Sequence, residues 1–218
     1  MKKFLSILLA LMCATIFSSC NPNPNDEYIS QLRRDIMRGT SDGFDFTAYI
    51  EERETPLQAD GIPNAKIPVV VLKISTSTAI SGTSSVFITI DGKEYSAHPT
   101  TLSPTLFSSI IPVDALPSDT FTARFESVGD TAKNVSVTLS SVLPEMSDYT
   151  APLALAKSTL GDKITYENNV LVGEFFIRVL HENGTAFWYV GYVTASSTHS
   201  LLISADGQTV IATHESKT

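Results

Sequence analysis

Residues 86–97 read VFITIDGKEYSA, and they carry the clearest structural signal in the chain. Two short runs rich in β-branched and aromatic residues flank the pair Asp91-Gly92. An Asp-Gly pair in this position is typical of a two-residue β-hairpin turn, because both residues tolerate the positive φ that the turn requires. The stretch therefore predicts strands over residues 86–90 and 93–97, joined by a tight turn.

The surrounding sequence continues the β pattern. Apolar and polar residues alternate over 44–50, a nearly unbroken apolar run covers 67–74, and alternation returns over 121–125 and 135–139. Short strands separated by clusters of Ser, Thr, Pro and Gly are typical of a two-layered β-sandwich. We expect an immunoglobulin-like β-sandwich over residues 40–143, without the cysteine pair that joins the sheets of antibody domains.

The pattern changes after a linker at residues 144–149. Thr150 is placed to cap a short helix, Pro152 suits its first turn, and Gly161 is placed to end it. Strands are expected over residues 170–181, 185–193, 199–204 and 208–214. One helix followed by an antiparallel meander predicts a small α+β domain over residues 144–218. The chain as a whole is expected to be mainly β.

The segment before the sandwich predicts a tether and a short helix over residues 20–39. Residues 21–25 read NPNPN, which favours an extended tether. Over residues 26–38, Ile29, Leu32 and Ile36 follow helical spacing, and Gly39 is placed to stop the helix. Its basic residues, which we expect on a solvated helix face, are Arg33, Arg34 and Arg38.

The first 19 residues have the layout of a secretory signal. Lys2 and Lys3 precede an apolar run that is shorter than the roughly 20 residues needed to span a bilayer. The run ends at residues 17–20, which read FSSC. This break resembles the lipobox of bacterial lipoproteins, although Phe17 stands where that family usually has Leu.

The resemblance to lipoproteins implies a location and an anchor. It implies cleavage before Cys20 and a thioether-linked diacylglycerol on its sulfur. The protein would then lie on the extracytoplasmic side of the cell envelope, at the plasma or outer membrane. The other cysteine, Cys13, would leave with the signal, so no disulfide is expected.

Charge limits the classes of partner. The chain has a formal net charge of −8, and loss of Lys2 and Lys3 would make the remainder more acidic. Such a surface repels phosphate backbones, so nucleic-acid binding is not expected. The expected partners are the membrane, through lipid on Cys20, and an envelope protein or glycan.

The C-terminal third resembles the PepSY family of small extracytoplasmic domains. In that family a helix precedes strands and a closing hairpin with an Asp-x-x-Gly turn. Here residues 201–211 read LLISADGQTVI, with a turn two residues shorter. The resemblance implies an accessory or inhibitory domain that acts on an envelope protein, and it does not imply catalysis.

Catalytic and metal-binding signatures are not found. Residues 39–43 match G-x-S-x-G, but the nucleophile elbow needs a strand before the serine and a helix after it, and the order expected here is the reverse. The acidic residues at 42–45 and 51–54 favour solvated surfaces. The histidines, which lack the spacing of metal ligands, are His98, His181, His199 and His214. We expect no cofactor and no catalytic residue.

An aromatic cluster occupies two adjacent predicted strands over residues 175–176 and 187–192. Because neighbouring residues of a strand point to opposite faces, Trp188 and Tyr192 share one face. That face is either interdomain core or a candidate interaction surface for a partner protein or carbohydrate.

The leading functional hypothesis is a non-enzymatic, lipid-anchored binding or interaction protein of the bacterial cell envelope. The first alternative is a PepSY-like inhibitor or chaperone of an envelope enzyme. The second is a hydrolase whose site is assembled from scattered residues, either a Ser–His pair or two close carboxylates in a pocket.

Overall fold

The computed structural model describes residues 26–129 and 133–217. Within these ranges the chain forms fifteen strands, one α-helix (α1, Thr150–Leu160) and short 3-10 turns at Asp26–Tyr28 and Gly161–Lys163. The strands are β1 (Ile29–Ser41), β2 (Phe44–Arg53), β3 (Ile67–Thr76), β4 (Thr83–Ile90), β5 (Lys93–Ala97), β6 (Thr100–Ser103), β7 (Leu106–Pro112), β8 (Phe121–Val128), β9 (Lys133–Ser141), β10 (Thr165–Glu167), β11 (Val170–Val172), β12 (Glu174–Glu182), β13 (Thr185–Val193), β14 (Ser197–Ser204) and β15 (Val210–Lys217). The mainly β prediction is confirmed. The predicted signal, Cys20 and the tether lie outside the described residues.

The hairpin predicted at residues 86–97 is confirmed. β4 and β5 pair antiparallel from Val86 opposite Ala97 to Ile90 opposite Lys93. Asp91 and Gly92 have φ of 49° and 79°, the positive values that a type I′ turn demands. Val86, Ile88 and Ile90 are buried, and Phe87 and Thr89 between them are half-buried, as the alternation predicts.

The predicted helix over residues 26–38 is wrong, because this segment forms β1. β1 is a central strand that hydrogen-bonds β2 on one side and first β12, then β9, on the other. A β-bulge between Arg33 and Asp35 shifts the register with β2. The bulge accounts for the helix-like spacing of Leu32 and Ile36, since an extra residue moves the buried positions out of strict alternation.

Gly39 lies inside β1 and does not end a helix. A Cβ at this position would sit 2.6 Å from the carbonyl oxygen of Thr138, so glycine allows β9 to approach. Asp42 and Gly43, with φ of 49° and 78°, form the turn between β1 and β2. The G-x-S-x-G match is therefore a β-hairpin, with a strand on each side and no helix after the serine.

Thirteen of the described strands join one curled sheet. Its main path runs β15-β14-β13-β12-β1-β2-β3-β7-β6, and β9 links β1 to the arm formed by β8, β4 and β5. All pairs are antiparallel except β1 with β12. The first core lies where the arm faces β1, β2, β3 and β7, and there the rings of Phe107 and Phe125 meet with centroids 5.1 Å apart. Because both layers belong to one hydrogen-bonded sheet, the immunoglobulin-like arrangement is not confirmed.

The second core lies where α1 covers β12, β13 and β14. Leu153 and Ala156 of α1 pack with Trp188, Val190 and Tyr192 of β13. The predicted helix is confirmed over Thr150–Leu160, with Gly161 at its C-terminal end. Its cap is not Thr150: the carboxylate of Asp148 accepts the backbone N–H of Thr150 at 2.9 Å.

β1 contributes side chains to both cores. Met37 packs in the first core, whereas Ile29, Leu32 and Ile36 pack in the second. The predicted boundary at residue 40 therefore falls at the end of a strand that both cores share. The division into two domains at residues 143 and 144 stays a prediction. Among the helical residues described, no segment has the length and apolar character needed to cross a membrane.

Candidate functional site

Trp188 and Tyr192, whose face the sequence offers either as core or as a candidate interaction surface, are both buried. Their exposed fractions are 3% and 0%. The indole N–H of Trp188 donates to the hydroxyl of Ser147 at 3.2 Å, and the Tyr192 hydroxyl donates to the carbonyl of Val172. They are buried because α1 covers their face of β13.

The opposite face of the main sheet carries a row of half-buried polar and aromatic side chains. Residues directly paired on neighbouring strands point to the same face. The pairing sequence Arg33, Arg178, Tyr189 and Leu202 therefore marks one row across β1, β12, β13 and β14. We call the surface defined by this row, together with Tyr49 and Phe187, the outer face.

A cleft opens on the outer face where β1 and β12 separate. The two strands pair only from Ile29 to Arg33, after which β1 pairs with β9 instead. The cleft has a volume of about 360 Å³, which is within the range of small-molecule sites. It is lined by Arg33, Ile36, Arg38, Tyr49, Leu180, His181, Glu182, Phe187 and Leu202.

The lining combines apolar side chains with cations. Leu180, Phe187 and Leu202 supply apolar surface from three neighbouring strands. The guanidinium of Arg33 lies 4.1 Å from the ring centroid of Tyr49, and the ammonium of Lys73 lies 5.3 Å from the same ring. Cation–π contacts of this kind hold the positive charges close to the aromatic surface.

A buried carboxylate binds the arginine side chains beside the cleft. Glu51 is fully buried and accepts hydrogen bonds from Gln31 at 2.8 Å, from Arg33 at 3.1 Å and from Arg53 at 3.2 Å. The predicted solvated surface at residues 51–54 is therefore wrong for Glu51, and also for Glu54, which is buried as well. Glu51 is enclosed because side chains of the neighbouring strand β1 cover it, whereas Glu54 follows β2 and is enclosed by the loop whose N–H groups it accepts.

Arg178 carries positive charge without an ion-pair partner among the residues described. Its Nε donates to the amide oxygen of Gln31 at 2.5 Å, and its guanidinium lies 5.4 Å and 5.5 Å from the ring centroids of Phe176 and Tyr189. Burial, followed by the charge of Arg33, lowers the pKa of Arg178. Since Glu51 is shared by Arg33 and Arg53, positive charge exceeds negative charge at this point of the outer face.

His181 is the histidine that lies in the cleft. Its Nδ1 is buried and has no hydrogen-bond partner in the described part of the chain. His98 lies at the end of β5, 3.4 Å from the Ser85 hydroxyl. No cluster of three or more His, Cys, Asp or Glu side chains that could hold a metal ion is found within residues 26–129 and 133–217.

A Ser–His–Glu chain of contacts lies elsewhere, on β14 and β15. The Ser197 hydroxyl is 3.4 Å from Nε2 of His199, and Nδ1 of His199 is 3.3 Å from the Glu215 carboxylate. Lys163 hydrogen-bonds Glu215 at 2.7 Å and lowers the pKa of that carboxyl. The backbone N–H of Ser197 donates to the Thr194 hydroxyl, so this amide is not available to stabilise an oxyanion.

Two buried carboxylates, Glu54 and Glu174, hold the loop of residues 54–66. Glu174 accepts the Ser30 hydroxyl and the backbone N–H of Gly61, the latter at 2.8 Å. Glu54 accepts the backbone N–H of Gln58 at 3.2 Å and that of Asn64 at 3.1 Å. Burial raises the pKa of Glu174, and Glu54 adds to the shift. These bonds assign the pair a role in anchoring the loop.

Sequence reasoning missed the cleft. It placed Arg33 and Arg38 on a solvated helix face, and the structure places both on β1 beside Tyr49. The alternation over residues 44–50 does put Tyr49 opposite Phe46 and Ile50, but only the sheet order shows what lies next to it. Comparison with protein-family models, with curated proteins and with solved structures finds no match to this chain.

Proposed function

We propose that this chain is a lipid-anchored, extracytoplasmic binding protein of the bacterial cell envelope, and that the cleft on the outer face is its binding site. The observation that carries the proposal is the cleft at the separation of β1 and β12, which joins an apolar lining to Arg38, an arginine without an ion-pair partner among the described residues. Concave sites with apolar walls and a few convergent polar groups are typical of small-molecule binding.

The anchor part of the proposal is supported by residues 1–20. The signal of residues 1–19 would be removed, the lipid on Cys20 would hold the protein at the plasma or outer membrane, and residues 21–25 would act as a tether. Cys20→Ser should abolish incorporation of labelled fatty acid and release the protein from the membrane fraction. A variant that stays in the membrane fraction would contradict the anchor.

The finer architecture is also a proposal. We infer that the first core corresponds to an immunoglobulin-like β-sandwich, whose two layers are β1, β2, β3 and β7 against β4, β8 and β9. The second core, formed by α1 and β12–β15, corresponds to a PepSY-like unit. Two observations support these assignments. Side chains from both layers pack together in the first core, and in the second core a helix packs on antiparallel strands that follow it in the chain.

The binding site is tested by filling the cleft. Leu202→Trp adds bulk to a residue that lines it, and Leu102→Trp adds the same bulk to an exposed residue of β6, at the far edge of the sheet. In a thermal-shift screen across chemical classes of small molecule, a ligand that raises the melting temperature of the parent protein should lose its effect in Leu202→Trp and keep it in Leu102→Trp. An equal shift in both variants would remove the cleft as the site.

Hydrolysis is a second candidate function, because Ser197, His199 and Glu215 form a chain of contacts. It ranks second since the Ser197–His199 distance of 3.4 Å is long for proton transfer and the nearby amide is occupied. A fluorophosphonate probe that labels the parent protein but not Ser197→Ala would support it. Absence of labelling in the parent protein would count against a serine hydrolase.

A PepSY-like inhibitor or chaperone is the remaining candidate, and the β15 edge favours it. β15 pairs with β14 on one side, ends the path of the sheet and is exposed along most of its length. An exposed edge strand can add a strand from another protein. Stable co-purification with an envelope enzyme, lost on Ala212→Pro in β15, would support this role.

A further inference from the structure

We propose that the ligand of the outer-face cleft is a small organic carboxylate, a molecule with one anionic carboxylate group on an apolar body. The inference rests on the proposed function, because it names the ligand class of the same cleft. It places the carboxylate beside Arg38 and the apolar body against Leu180, Phe187 and Leu202.

The charge around the cleft favours an anion. In a chain of net charge −8, the cations Arg33, Arg38, Lys73 and Arg178 converge on the cleft and its adjoining row. Glu51 is occupied by Arg33 and Arg53. Arg38 is exposed and makes no ion pair with any residue described, so its guanidinium is free to bind a carboxylate through two parallel hydrogen bonds.

The same lining favours a single negative charge over a double one. Glu182 lies at the end of β12 and is the carboxylate among the residues that line the cleft. A phosphate monoester carries nearly two negative charges at neutral pH and would be repelled more strongly by Glu182 than a carboxylate.

The apolar residues account for the rest of the ligand. Leu180 and Phe187 are directly paired across β12 and β13, and Leu202 follows in the next row on β14. Together they form a half-buried apolar surface beside the cations. An inorganic anion would leave this apolar surface in contact with water, whereas an aryl or alkyl group would bury it.

Isothermal titration calorimetry on the full chain in phosphatidylcholine nanodiscs tests the inference, with empty nanodiscs as the blank. The probes are 4-phenylbutyrate, the uncharged 4-phenyl-1-butanol and 4-phenylbutyl phosphate. We expect 4-phenylbutyrate to bind about tenfold more tightly than 4-phenyl-1-butanol, because the alcohol has no charge to pair with Arg38. We also expect it to bind more tightly than 4-phenylbutyl phosphate, because Glu182 repels the second negative charge of that probe.

A matched pair of variants tests whether Arg38 is the cation that binds the carboxylate of the ligand. Arg38→Gln should weaken 4-phenylbutyrate binding about tenfold. Arg34→Gln, on the same strand, should leave it unchanged, because Arg34 pairs with Glu52 at 2.8 Å and lies outside the cleft lining. Equal loss in both variants would overturn the assignment.

The remaining outcomes separate this inference from the proposed function. If the alcohol binds as tightly as the carboxylate and Leu202→Trp abolishes both, the cleft is a binding site but the carboxylate inference is overturned. If none of the three probes binds, the inference is likewise overturned, and the chemical screen with Leu202→Trp and Leu102→Trp decides the proposed function independently.

Discussion

Glu51 is the residue on which the geometry of the outer face most depends. It is buried and compensates the charges of Arg33 and Arg53. Removal of one partner from a buried ion pair leaves an uncompensated charge, which is far more costly than the loss of an exposed pair. The structure thus allows a comparison between Glu51 and its neighbour in sequence, Glu52, which pairs with Arg34 near the surface.

We expect Glu51→Gln to lower the free energy of unfolding by about 3–5 kcal/mol, because Arg33 and Arg53 lose their shared carboxylate. Glu52→Gln, which breaks the more exposed pair, should cost less than about 1 kcal/mol. Urea denaturation of the two variants measures both values. Equal, small effects would show that Glu51 does not hold these arginines.

Glu174 gives the stability of the protein a distinctive pH dependence. Burial raises the pKa of Glu174 above the ordinary value of 4.5, so at pH values between 4.5 and the raised pKa the folded state binds more protons than the unfolded state. Stability from this group is therefore present at low pH and is lost as the pH rises through the raised pKa. The loop bonds to Ser30 and Gly61 limit this loss, because they favour the ionised form.

We expect the difference in unfolding free energy between the parent protein and Glu174→Gln to change in favour of the variant as the pH rises above 4.5. Glutamine stays neutral and can still accept the N–H of Gly61. Chemical denaturation of both proteins from acid to neutral pH measures the difference. The lowered pKa of Glu215 gives a pH dependence of the opposite sign, but Glu215 is present in both proteins, so its contribution cancels in the difference. A pH-independent difference would contradict the raised pKa.

At the scale of elements, β1 determines how the sheet is assembled. Its N-terminal half pairs with β12 and its C-terminal half with β9, and the bulge at Arg34 lies between the two. Gly39 permits the second pairing, because Thr138 of β9 occupies the space where a side chain would begin. The cleft is a consequence of this change of partner along one strand.

Gly39→Ala should lower the free energy of unfolding by about 1–3 kcal/mol, because the new methyl group meets the backbone of β9 at 2.6 Å. Gly92→Ala provides a contrast, since its φ of 79° is unfavourable for alanine but no atom lies within 4 Å. We expect it to cost about 1 kcal/mol. Urea midpoints of both variants distinguish crowding from backbone strain. An effect of Gly39→Ala near zero would mean that β9 shifts freely.

At the scale of the whole molecule, the question is whether the two cores unfold together. β1 enters both, with Met37 in the first core and Leu32 in the second. Trp188 is the one tryptophan of the chain and lies in the second core, so its fluorescence reports the unfolding of that core alone. Trp188 fluorescence can therefore measure how a substitution in the first core changes the unfolding of the second core.

We expect Met37→Ala to lower the unfolding midpoint measured by Trp188 fluorescence by an amount equivalent to about 2–5 kcal/mol, because loss of a buried methionine weakens the strand that both cores share. Leu102→Ala, at an exposed position, should leave the midpoint unchanged. A midpoint that does not move in Met37→Ala would show that the two cores unfold independently, as two separate domains would.

Most strands could be predicted from the sequence, because their signals are local. The turn at Asp91-Gly92 is signalled by its own two residues, which take positive φ, and the alternation at Phe121, Ala123 and Phe125 reports one buried face. α1 was predictable for the same reason. The helix predicted over β1 was wrong because consecutive residues are buried at the start of this strand and a bulge follows, so the strand loses the period of two on which sequence reasoning depends.

The sequence by itself determined a mainly β chain, its turns and the composition of its strands. Only the tertiary structure decided which side chains meet: that α1 covers Trp188 and Tyr192, that Glu51 is enclosed, and that Arg38 reaches the same cleft as Leu202. The physical reason is distance along the chain. Turns and alternation are set by neighbouring residues, whereas the cleft joins residues of β1 and β14 that are more than 150 positions apart and are brought together only by the order of strands in the sheet.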